Sequence, residues 1–260
     1  MSEPAHSAIG SLCKELKRTD QRERGWNVTI AEDCYRLLLL KEVTPETEWL
    51  DLGCGRQILR EWLPNGKADQ NTLSQRARRL VGIDRVADDV SRNPYLHEKV
   101  VGDFLKLPFP DASFTLVTAQ MVVEHVERPL ELMREVGRVL RPGGKFIFLT
   151  PNLLNYQVLA ASFFPEKLKK RIIRYLEFRE ERDVFKTYYR MNTKNEIVKT
   201  ARAPRLAIDA IQLVHSACKF RRIPPLLWVE KAILRVLDLE QMSDFRSCIL
   251  AVLIKPVLDS

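Results

Sequence analysis

A short glycine-containing turn follows the first strongly apolar segment of the chain. It lies in LDLGCGRQ, residues 50–57, where Gly53 and Gly55 flank Cys54. Glycines let a ligand approach the backbone where a Cβ atom would otherwise stand, and they adopt the positive φ angles of a tight turn. Such a turn is also typical of a buried strand that simply ends. A dinucleotide-binding fingerprint needs a small residue at its sixth position, where this chain has Ile58.

Acidic residues follow the next two apolar segments. Asp84 closes LVGID, and Asp103 with Phe104 follows VVG. A carboxylate at the end of the second strand can accept hydrogen bonds from both hydroxyls of a ribose. Asp103 and Phe104 can offer an acceptor to an adenine amino group and an aromatic face to its ring. Each alone fits an ordinary loop residue, but together with the glycine turn they predict a nucleotide-like ligand.

Strand and helix patterns alternate from Trp49 onward. The apolar segments WLDLG, LVGID, VVGD, FTLVTAQMV and GGKFIFLT suit strands buried on both faces. Their alternation with helices predicts right-handed crossovers and a parallel sheet, in an α/β three-layer domain. We expect a helix over RQILREWL, directly after the glycine turn, and we interpret residues 64–79 as an insertion before the second strand.

Three segments flank this alternating part. The sequence predicts an N-terminal helical cap over residues 1–44 and the main domain over residues 45–260. Within that domain, residues 151–200 predict a helical insertion that can form a lid at the carboxyl ends of the strands. Residues 217–244 are interpreted as a second helical insertion, before a last apolar run, CILAVLIKP, expected at the sheet edge.

Composition indicates the compartment and the kind of partner. Five scattered cysteines without a metal-ligand spacing favour a reducing compartment and no structural zinc. The start of the chain lacks signal-peptide features and no apolar segment is long enough to span a bilayer, so we expect a cytoplasmic protein. The net charge of +8 would suit an anionic partner. Basic and acidic runs alternate, however, so nucleic acid is not the expected partner.

The order of these motifs resembles the class I S-adenosylmethionine-dependent methyltransferases, in their small-molecule branch. The resemblance covers roughly residues 45–152 and rests on LDLGCG, VGID, GDFLKLPFPDASFTLV, MVVEHVERP and LRPGGKFIFLTPN. It implies a Rossmann-like fold whose mostly parallel sheet has seven strands, the last antiparallel. It also implies S-adenosylmethionine as cofactor and S-adenosylhomocysteine as product. The segment ARAPRLAID replaces the usual glycine-containing turn before the sixth strand, so we expect an irregular edge there.

The resemblance also assigns cofactor-binding residues. It implies that the glycine turn lies near the methionyl part, that Asp84 holds the ribose, and that Asp103 and Phe104 hold the adenine. Gln57 stands where many relatives have a small residue, and it is expected to contact the cofactor's amino-acid end or to brace its own loop. The predicted cofactor-binding residues are Asp51, Gly53, Cys54, Gly55, Gln57, Asp84, Arg85, Asp103, Phe104, Gln120 and Met121.

Histidine and tyrosine side chains are the candidates for the reaction itself. His125, after the fourth strand, could act as general base or position the substrate, or it could fix its own loop by hydrogen bonding. Tyr189, in KTYYRMNT, is a second catalytic candidate, with ordinary packing of the insertion as the alternative. The candidate substrate-binding residues are Tyr188, Arg190, Asn152 and Tyr156.

Metal and membrane are two further possibilities that the motifs raise. Related phenol methyltransferases bind a divalent metal through Glu-x-x-Glu-His, but Met121 replaces the first glutamate here. Glu124 and His125 alone make a poor Mg²⁺ site, so no metal is expected.

Residues 153–176 combine an apolar stretch with a basic amphipathic one, which could lie on an anionic bilayer. A buried lid helix is the favoured interpretation.

The expected function is therefore methyl transfer from S-adenosylmethionine to an oxygen of a small metabolite, lipid precursor or glycan, with nitrogen as the alternative acceptor. Methyl transfer is an in-line displacement that requires an aligned acceptor and removal of its proton. The alternatives are methylation of a macromolecule and a catalytically silent module that binds the cofactor as a sensor or scaffold. The sequence determines neither the substrate nor the oligomeric state.

Overall fold

The computed structural model describes residues 31–61, 63, 65–155, 186–216, 224–237 and 239–257. In this part of the chain the strands are β1 (Glu48–Leu52), β2 (Arg79–Asp84), β3 (Glu98–Val101), β4 (Phe114–Gln120), β5 (Leu140–Pro151), β6 (Ala207–Val214) and β7 (Cys248–Ile254). The α-helices are α1 (Ala31–Glu42), α2 (Gly66–Arg76), α3 (Ala87–Arg92), α4 (Pro129–Val139), α5 (Lys194–Ala201) and α6 (Pro224–Leu237). Short 3-10 helices lie at Val123–His125 and Glu240–Phe245.

The strands form one seven-stranded sheet in the order β3-β2-β1-β4-β5-β7-β6. Strands β1 to β5 run parallel to one another, and β7 pairs antiparallel with both β5 and β6. This confirms the predicted sheet and its antiparallel last strand. The expectation that β7 would lie at the edge is wrong. Residues 248–253 are all buried, which suits an interior strand, whereas the half-exposed β6 takes the edge.

The edge strand β6 is irregular, as the missing glycine turn suggested. Its register with β7 shifts between Ile208 and Ala210. Arg205, just before the strand, has a positive φ of 58°. An arginine therefore occupies the left-handed conformation that a glycine adopts at lower cost.

The segment after the glycine turn contains no helix between residues 53 and 61, so the predicted helix over RQILREWL is wrong. The helix lies instead at α2, inside the segment interpreted as an insertion. The side-chain oxygen of buried Gln70, on α2, accepts hydrogen bonds from the backbone N–H groups of Ile58 (2.9 Å) and Leu59 (3.0 Å). Both of those residues are buried. A tertiary contact thus satisfies the backbone donors of a segment that forms no helix.

Apolar side chains fill both faces of the sheet. Along β5, Phe146 and Phe148 point into one core, with α4 and α5, while Ile147 and Leu149 point into the other, with α1 and α2. The alternation follows from the two-residue period of a strand. Because the sheet is covered on both sides, its accessible polar groups concentrate at the strand ends.

Several predicted segments fall partly outside the described residues. Helix α1 occupies residues 31–42 of the predicted cap, and α6 with the second 3-10 helix occupies part of 217–244. Tyr156 and most of the predicted lid lie outside the described residues. The division into cap, domain and insertions stays a prediction. No helix among the described residues is both long and apolar enough to cross a membrane.

Candidate cofactor and active site

The two glycines of the turn after β1 have different surroundings. Gly53 has a φ of +65°, donates its N–H to the Ile83 carbonyl at 2.8 Å, and would place a Cβ 2.4 Å from a Val122 methyl carbon. Gly55 has a φ of +45°, and no atom lies within 4 Å of the Cβ position built on it. Gly53 is therefore required for packing, whereas Gly55 opens onto free space at the carboxyl edge of the sheet.

Asp84 binds the turn from the end of β2. One of its carboxylate oxygens accepts the Gly55 N–H at 3.1 Å, and the other accepts the Val86 N–H at 3.0 Å. Each oxygen keeps acceptor capacity for a further donor. The predicted ribose-binding carboxylate is thus fixed beside the open glycine, where a diol could reach it.

Buried Asn93 also holds the turn, a role that the sequence analysis missed. Its side-chain amide donates to the carbonyls of Cys54 and Gly55, both at 3.2 Å, and its oxygen accepts the Tyr95 N–H at 3.1 Å. The sequence NPYL indicated a turn at 93–96 but not its partner. Two carbonyls of the cradle are therefore held by a side chain about forty residues away.

Asp103, after β3, forms an ion pair with Arg85. The Arg85 guanidinium lies 2.6 Å from the Asp103 carboxylate and 5.3 Å from the centre of the Phe104 ring. Partial burial opposes ionisation of Asp103, but the Leu105 N–H and the Arg85 charge outweigh it and lower the pKa of this carboxyl. Phe104 is mostly buried, while the other two side chains are about half exposed. Asp103 and Arg85 are therefore the groups that this strand end presents to a ligand.

Asp51 lies beneath the turn, inside the sheet. Its carboxylate accepts a 2.6 Å hydrogen bond from the Thr118 hydroxyl, which in turn accepts one from the Trp49 indole at 2.7 Å. Burial raises the pKa of Asp51 to about 7; the Asp84 charge adds to this, and the Thr118 hydrogen bond opposes it. Asp51 therefore changes charge near neutral pH at the base of the cradle.

Gln120 and Met121 lie at the carboxyl end of β4, the neighbour of β1 on the side away from β2. Gln120 Nε2 is buried and has no hydrogen-bond partner among the described residues. Met121 has a positive φ of 56°, which is uncommon outside glycine and frequent at functional sites. A buried donor without a partner is costly, so an acceptor on a ligand would stabilise it. With the free space over Gly55, this donor fits a cofactor that carries a carboxylate.

The other predicted residues of the turn have structural contacts. Gln57 accepts the Glu61 N–H at 3.3 Å, the contact expected if it braces its own loop. Cys54 is buried against Gly82, where a Cβ would lie 2.7 Å from its sulfur. Burial also raises the pKa of the Cys54 thiol. Neither side chain needs a cofactor to explain its position.

His125 and the tyrosines of KTYYRMNT come together after β4. The His125 Nδ1 lies 3.1 Å from the Lys186 carbonyl oxygen. The backbone N–H groups of Tyr188 and Tyr189 donate to the Glu124 carbonyl at 2.8 and 3.2 Å. A carbonyl can only accept, so neutral His125 carries its proton on Nδ1 and has its acceptor nitrogen at Nε2, 3.9 Å from the Glu124 carboxylate. This contact fits both the loop-fixing and the general-base interpretation.

A buried polar network supports this junction and was not identified from the sequence. The Thr150 hydroxyl donates to the Glu124 carboxylate at 3.0 Å and accepts from the Asn192 amide at 2.8 Å. All three residues are buried. They link the ends of β4 and β5 to the chain that returns from the predicted lid.

The remaining substrate candidates separate. Asn152 is buried, donates to the carbonyls of Asp244 and Arg246, and accepts the Leu154 N–H, so it holds the backbone and we no longer count it as a substrate contact. Arg190 donates to the Glu127 carbonyl at 3.1 Å. Arg190 and Tyr189 line an open groove of about 810 Å³ between the start of α4 and the second half of α5. No residue of the glycine turn lines this groove.

The side chains that commonly bind metals do not cluster in the described part of the chain. Within the described ranges, no group of three or more histidine, cysteine, aspartate or glutamate side chains is arranged to hold a metal ion. Glu124 already accepts the Thr150 hydroxyl, and its nearer oxygen lies 3.9 Å from His125 Nε2. These two residues are thus arranged as part of a hydrogen-bonded junction.

Replacing each glycine of the turn by alanine should separate stability from binding. Gly55→Ala adds a methyl group in free space, so we expect a loss of about 1 kcal/mol in stability and about tenfold weaker binding of S-adenosylhomocysteine. Gly53→Ala, the matched control, should lose about 2–4 kcal/mol in stability because its Cβ meets Val122. Urea unfolding and calorimetry measure the two effects. Unchanged affinity in Gly55→Ala would show that the ligand does not use this space.

Comparison with known families gives the same assignment. Residues 50–148 match the family described as "Methyltransferase domain". The segment contains the glycine turn, Asp84, Asp103, Gln120 and His125. Residues 50–148 therefore form a domain of the class I S-adenosylmethionine-dependent methyltransferase superfamily. The superfamily and cofactor predicted from the motif order are thereby confirmed.

Curated relatives align mainly with the methyltransferase domain. A Mycolicibacterium smegmatis protein named as a probable S-adenosylmethionine-dependent methyltransferase is 34% identical over 106 residues, which cover 39% of this chain and 40% of the relative. Norajmaline N-methyltransferase of Rauvolfia serpentina is 34% identical over 88 residues, which cover 33% of this chain and 30% of that enzyme. The chain thus spans well under two thirds of the length of these relatives.

Solved structures share the fold over more of the chain. An S-adenosylmethionine-dependent methyltransferase from Mesorhizobium loti superposes with a TM-score of 0.55 at 18% identity, covering 86% of this chain and 97% of that one. Geranyl diphosphate C-methyltransferase from Streptomyces coelicolor, in complex with Mg²⁺, geranyl diphosphate and S-adenosyl-L-homocysteine, superposes with a TM-score of 0.53 at 17% identity, covering 98% and 86%. At these identities the likeness shows the fold.

Proposed function

We propose that the protein is an S-adenosylmethionine-dependent methyltransferase that acts on an oxygen or nitrogen of a small metabolite, lipid precursor or glycan. The observation that carries the proposal is that the carboxylate at the end of β2 binds the glycine turn at the end of β1. There Asp84 accepts the N–H of Gly55. At the end of the neighbouring strand β4, the buried side-chain N–H group of Gln120 has no partner among the described residues. This arrangement lies within the segment that matches the methyltransferase domain.

The residues of this edge have distinct roles in the proposed binding. Asp84 would accept the ribose hydroxyls, and Asp103 would accept a donor of the adenine. Gln120 would donate to the amino-acid end of the cofactor. When bound, S-adenosylmethionine supplies an electrophilic methyl group on a sulfonium, so the protein must align an acceptor and remove its proton.

His125 is the proposed base. Its Nδ1 donates to the Lys186 carbonyl, so Nε2 is the nitrogen that would accept a proton from the acceptor atom. The side chain is 24% exposed, so it can meet both a substrate and solvent. Tyr188, Tyr189 and Arg190 lie on the segment that contacts this loop, which supports a role for them on the acceptor side.

Turnover of the cofactor tests the proposal. The full chain is incubated with S-adenosylmethionine carrying a labelled methyl group and with a fractionated metabolite extract. Mass spectrometry then follows S-adenosylhomocysteine and the labelled product. We expect both to form together, and both to be lost in Asp84→Ala. Binding of S-adenosylhomocysteine in calorimetry, without turnover in any fraction, would instead support a silent cofactor-binding module.

Replacing His125 should separate catalysis from cofactor binding. We expect His125→Gln to slow product formation by about tenfold or more, because glutamine can keep a hydrogen bond to Lys186 but cannot take a proton. The affinity for S-adenosylhomocysteine should stay within about twofold of wild type. His97→Gln, a histidine that binds the Leu80 N–H on the other side of the sheet, is the control. Full activity in His125→Gln would leave His125 with only the loop-fixing role.

A further inference from the structure

Helix α6 exposes a continuous apolar face. Leu226, Val229, Ile233 and Val236 follow the spacing that places residues on one side of a helix, and they are 38–57% exposed. Trp228 and Leu239 border the same face and are 65% and 56% exposed. Soluble proteins usually bury such a stripe, so its exposure points to a partner.

The opposite side of α6 packs on the protein. Leu234 and Leu237 are buried, and so is Glu230, the one acidic residue in the sequence of this helix. The exposed side therefore carries no acidic residue of α6. The charged residues of α6 outside its buried side are basic: Arg235 is exposed, and the Lys231 ammonium lies 5.6 Å from the centre of the Trp228 ring. Two acidic residues, Asp238 and Glu240, follow the helix in the sequence.

Basic residues also precede the helix in the sequence. Lys219, Arg221 and Arg222 come within five residues of its first turn, and the whole chain has a net charge of +8. An apolar helical face with tryptophan, flanked by lysine and arginine, is the pattern of a helix that lies in the interface of an anionic bilayer. We propose that α6 docks the protein on an anionic lipid surface, with its apolar face inserted between the headgroups.

The charge of the face favours a membrane over a second copy of the chain. Two copies joined through α6 would bring Lys231 and Arg235 of both helices close together, and like charges across an interface are unfavourable. An anionic surface instead attracts these side chains. The 14 residues of α6 extend about 21 Å, which suits a helix lying along a surface.

Docking through α6 goes beyond the proposed methyl transfer and does not depend on it. It differs from the possibility raised for residues 153–176, since it uses a helix that the structure describes. It would place the enzyme at a surface where acceptors with apolar chains accumulate.

Vesicle flotation of the full chain tests this proposal. Vesicles of equimolar phosphatidylcholine and phosphatidylglycerol should carry the protein upward, and pure phosphatidylcholine vesicles should carry at least about tenfold less. Added salt should weaken the binding to the anionic vesicles. Tryptophan emission should shift to the blue on binding, and Trp228→Phe should reduce that shift.

Matched substitutions identify the surface. Val229→Glu combined with Val236→Glu should lower the bound fraction about tenfold or more and leave S-adenosylhomocysteine affinity unchanged. The control is Val257→Glu, which changes a valine of similar exposure (65%) outside α6 and should bind vesicles as wild type does. Equal flotation of the double variant and wild type would overturn the proposal.

Two other outcomes would also overturn it. If residues 156–185 cover this face, the wild-type chain should not float, and the double variant should unfold at a clearly lower temperature. If a second copy covers the face, wild type should be a dimer by light scattering and the double variant a monomer, again without flotation.

Discussion

The protein should lose stability as the pH rises from about 4 to about 7, because of Asp51. The pKa of this carboxyl is about 7 in the folded protein and 3.8 in its ordinary state. Between these values the folded chain keeps a proton that the unfolded chain releases, so folding is favoured at the acidic end and the advantage is lost as the pH rises. At 1.36 kcal/mol per pH unit, the full effect on the free energy of unfolding is at most about 4 kcal/mol.

Asp51→Asn should remove this dependence. Asparagine cannot ionise and keeps an oxygen that can accept the Thr118 hydroxyl, so the variant should be more stable than wild type at pH 8 by about 2–4 kcal/mol. At pH 4 the two should differ little. Urea unfolding at pH 4, 5, 6, 7 and 8 measures the difference, in which the contributions of the histidines cancel because both chains contain them.

An exposed aspartate provides the control for this series. Asp111 is 78% exposed at its side chain, so Asp111→Asn should follow the wild-type pH dependence within about 0.5 kcal/mol. If wild type and Asp51→Asn have parallel pH dependences, Asp51 is already ionised in the folded protein at pH 5. The Thr118 hydrogen bond would then outweigh burial.

Asp84→Ala should weaken S-adenosylhomocysteine binding by about 100-fold. Hydrogen bonds to a charged group contribute about 1.5–3 kcal/mol each, and this carboxylate is placed to accept from a ribose. The substitution also leaves the Gly55 and Val86 N–H groups without their acceptor, so the cradle loses its fixed shape. Isothermal titration calorimetry measures the affinity, and thermal unfolding checks that the variant folds.

Two further variants sharpen this result. Asp84→Asn keeps one acceptor and the side-chain size, so we expect a smaller loss, about tenfold. Asp89→Ala removes a nearby carboxylate that pairs with exposed Arg56, and it should bind within about twofold of wild type. If Asp84→Ala binds S-adenosylhomocysteine within about threefold of wild type, the ribose is held elsewhere.

The order of apolar runs and strand-end residues was sufficient to predict the central sheet. Strands buried on both faces have a distinctive composition, and the carboxyl ends of parallel strands must meet at one edge. For that reason Gly55, Asp84 and Asp103 could be grouped before any coordinates. The position of β7 in the sheet could not be predicted in this way, because an apolar composition does not determine which strands lie on either side of it.

The prediction of a helix at RQILREWL was wrong because local propensity competes with distant side chains. The side chain of Gln70 accepts hydrogen bonds from the N–H groups of Ile58 and Leu59. No feature of the sequence near residue 58 indicates this contact with a glutamine twelve residues later. Asn93 similarly holds the Gly55 carbonyl from a segment that only indicated a turn. Pairings of this kind depend on three-dimensional distance, which single-sequence patterns do not encode.

By itself the sequence determined the class of fold, the cofactor edge and the residue types that line it, because these follow from periodicity and strand order. The tertiary structure alone decided what each side chain does. It gave Asn152 a backbone-holding role, tied His125 to Lys186, and left the apolar face of α6 exposed. These properties depend on which groups are buried together, and burial is decided only when the whole chain has packed.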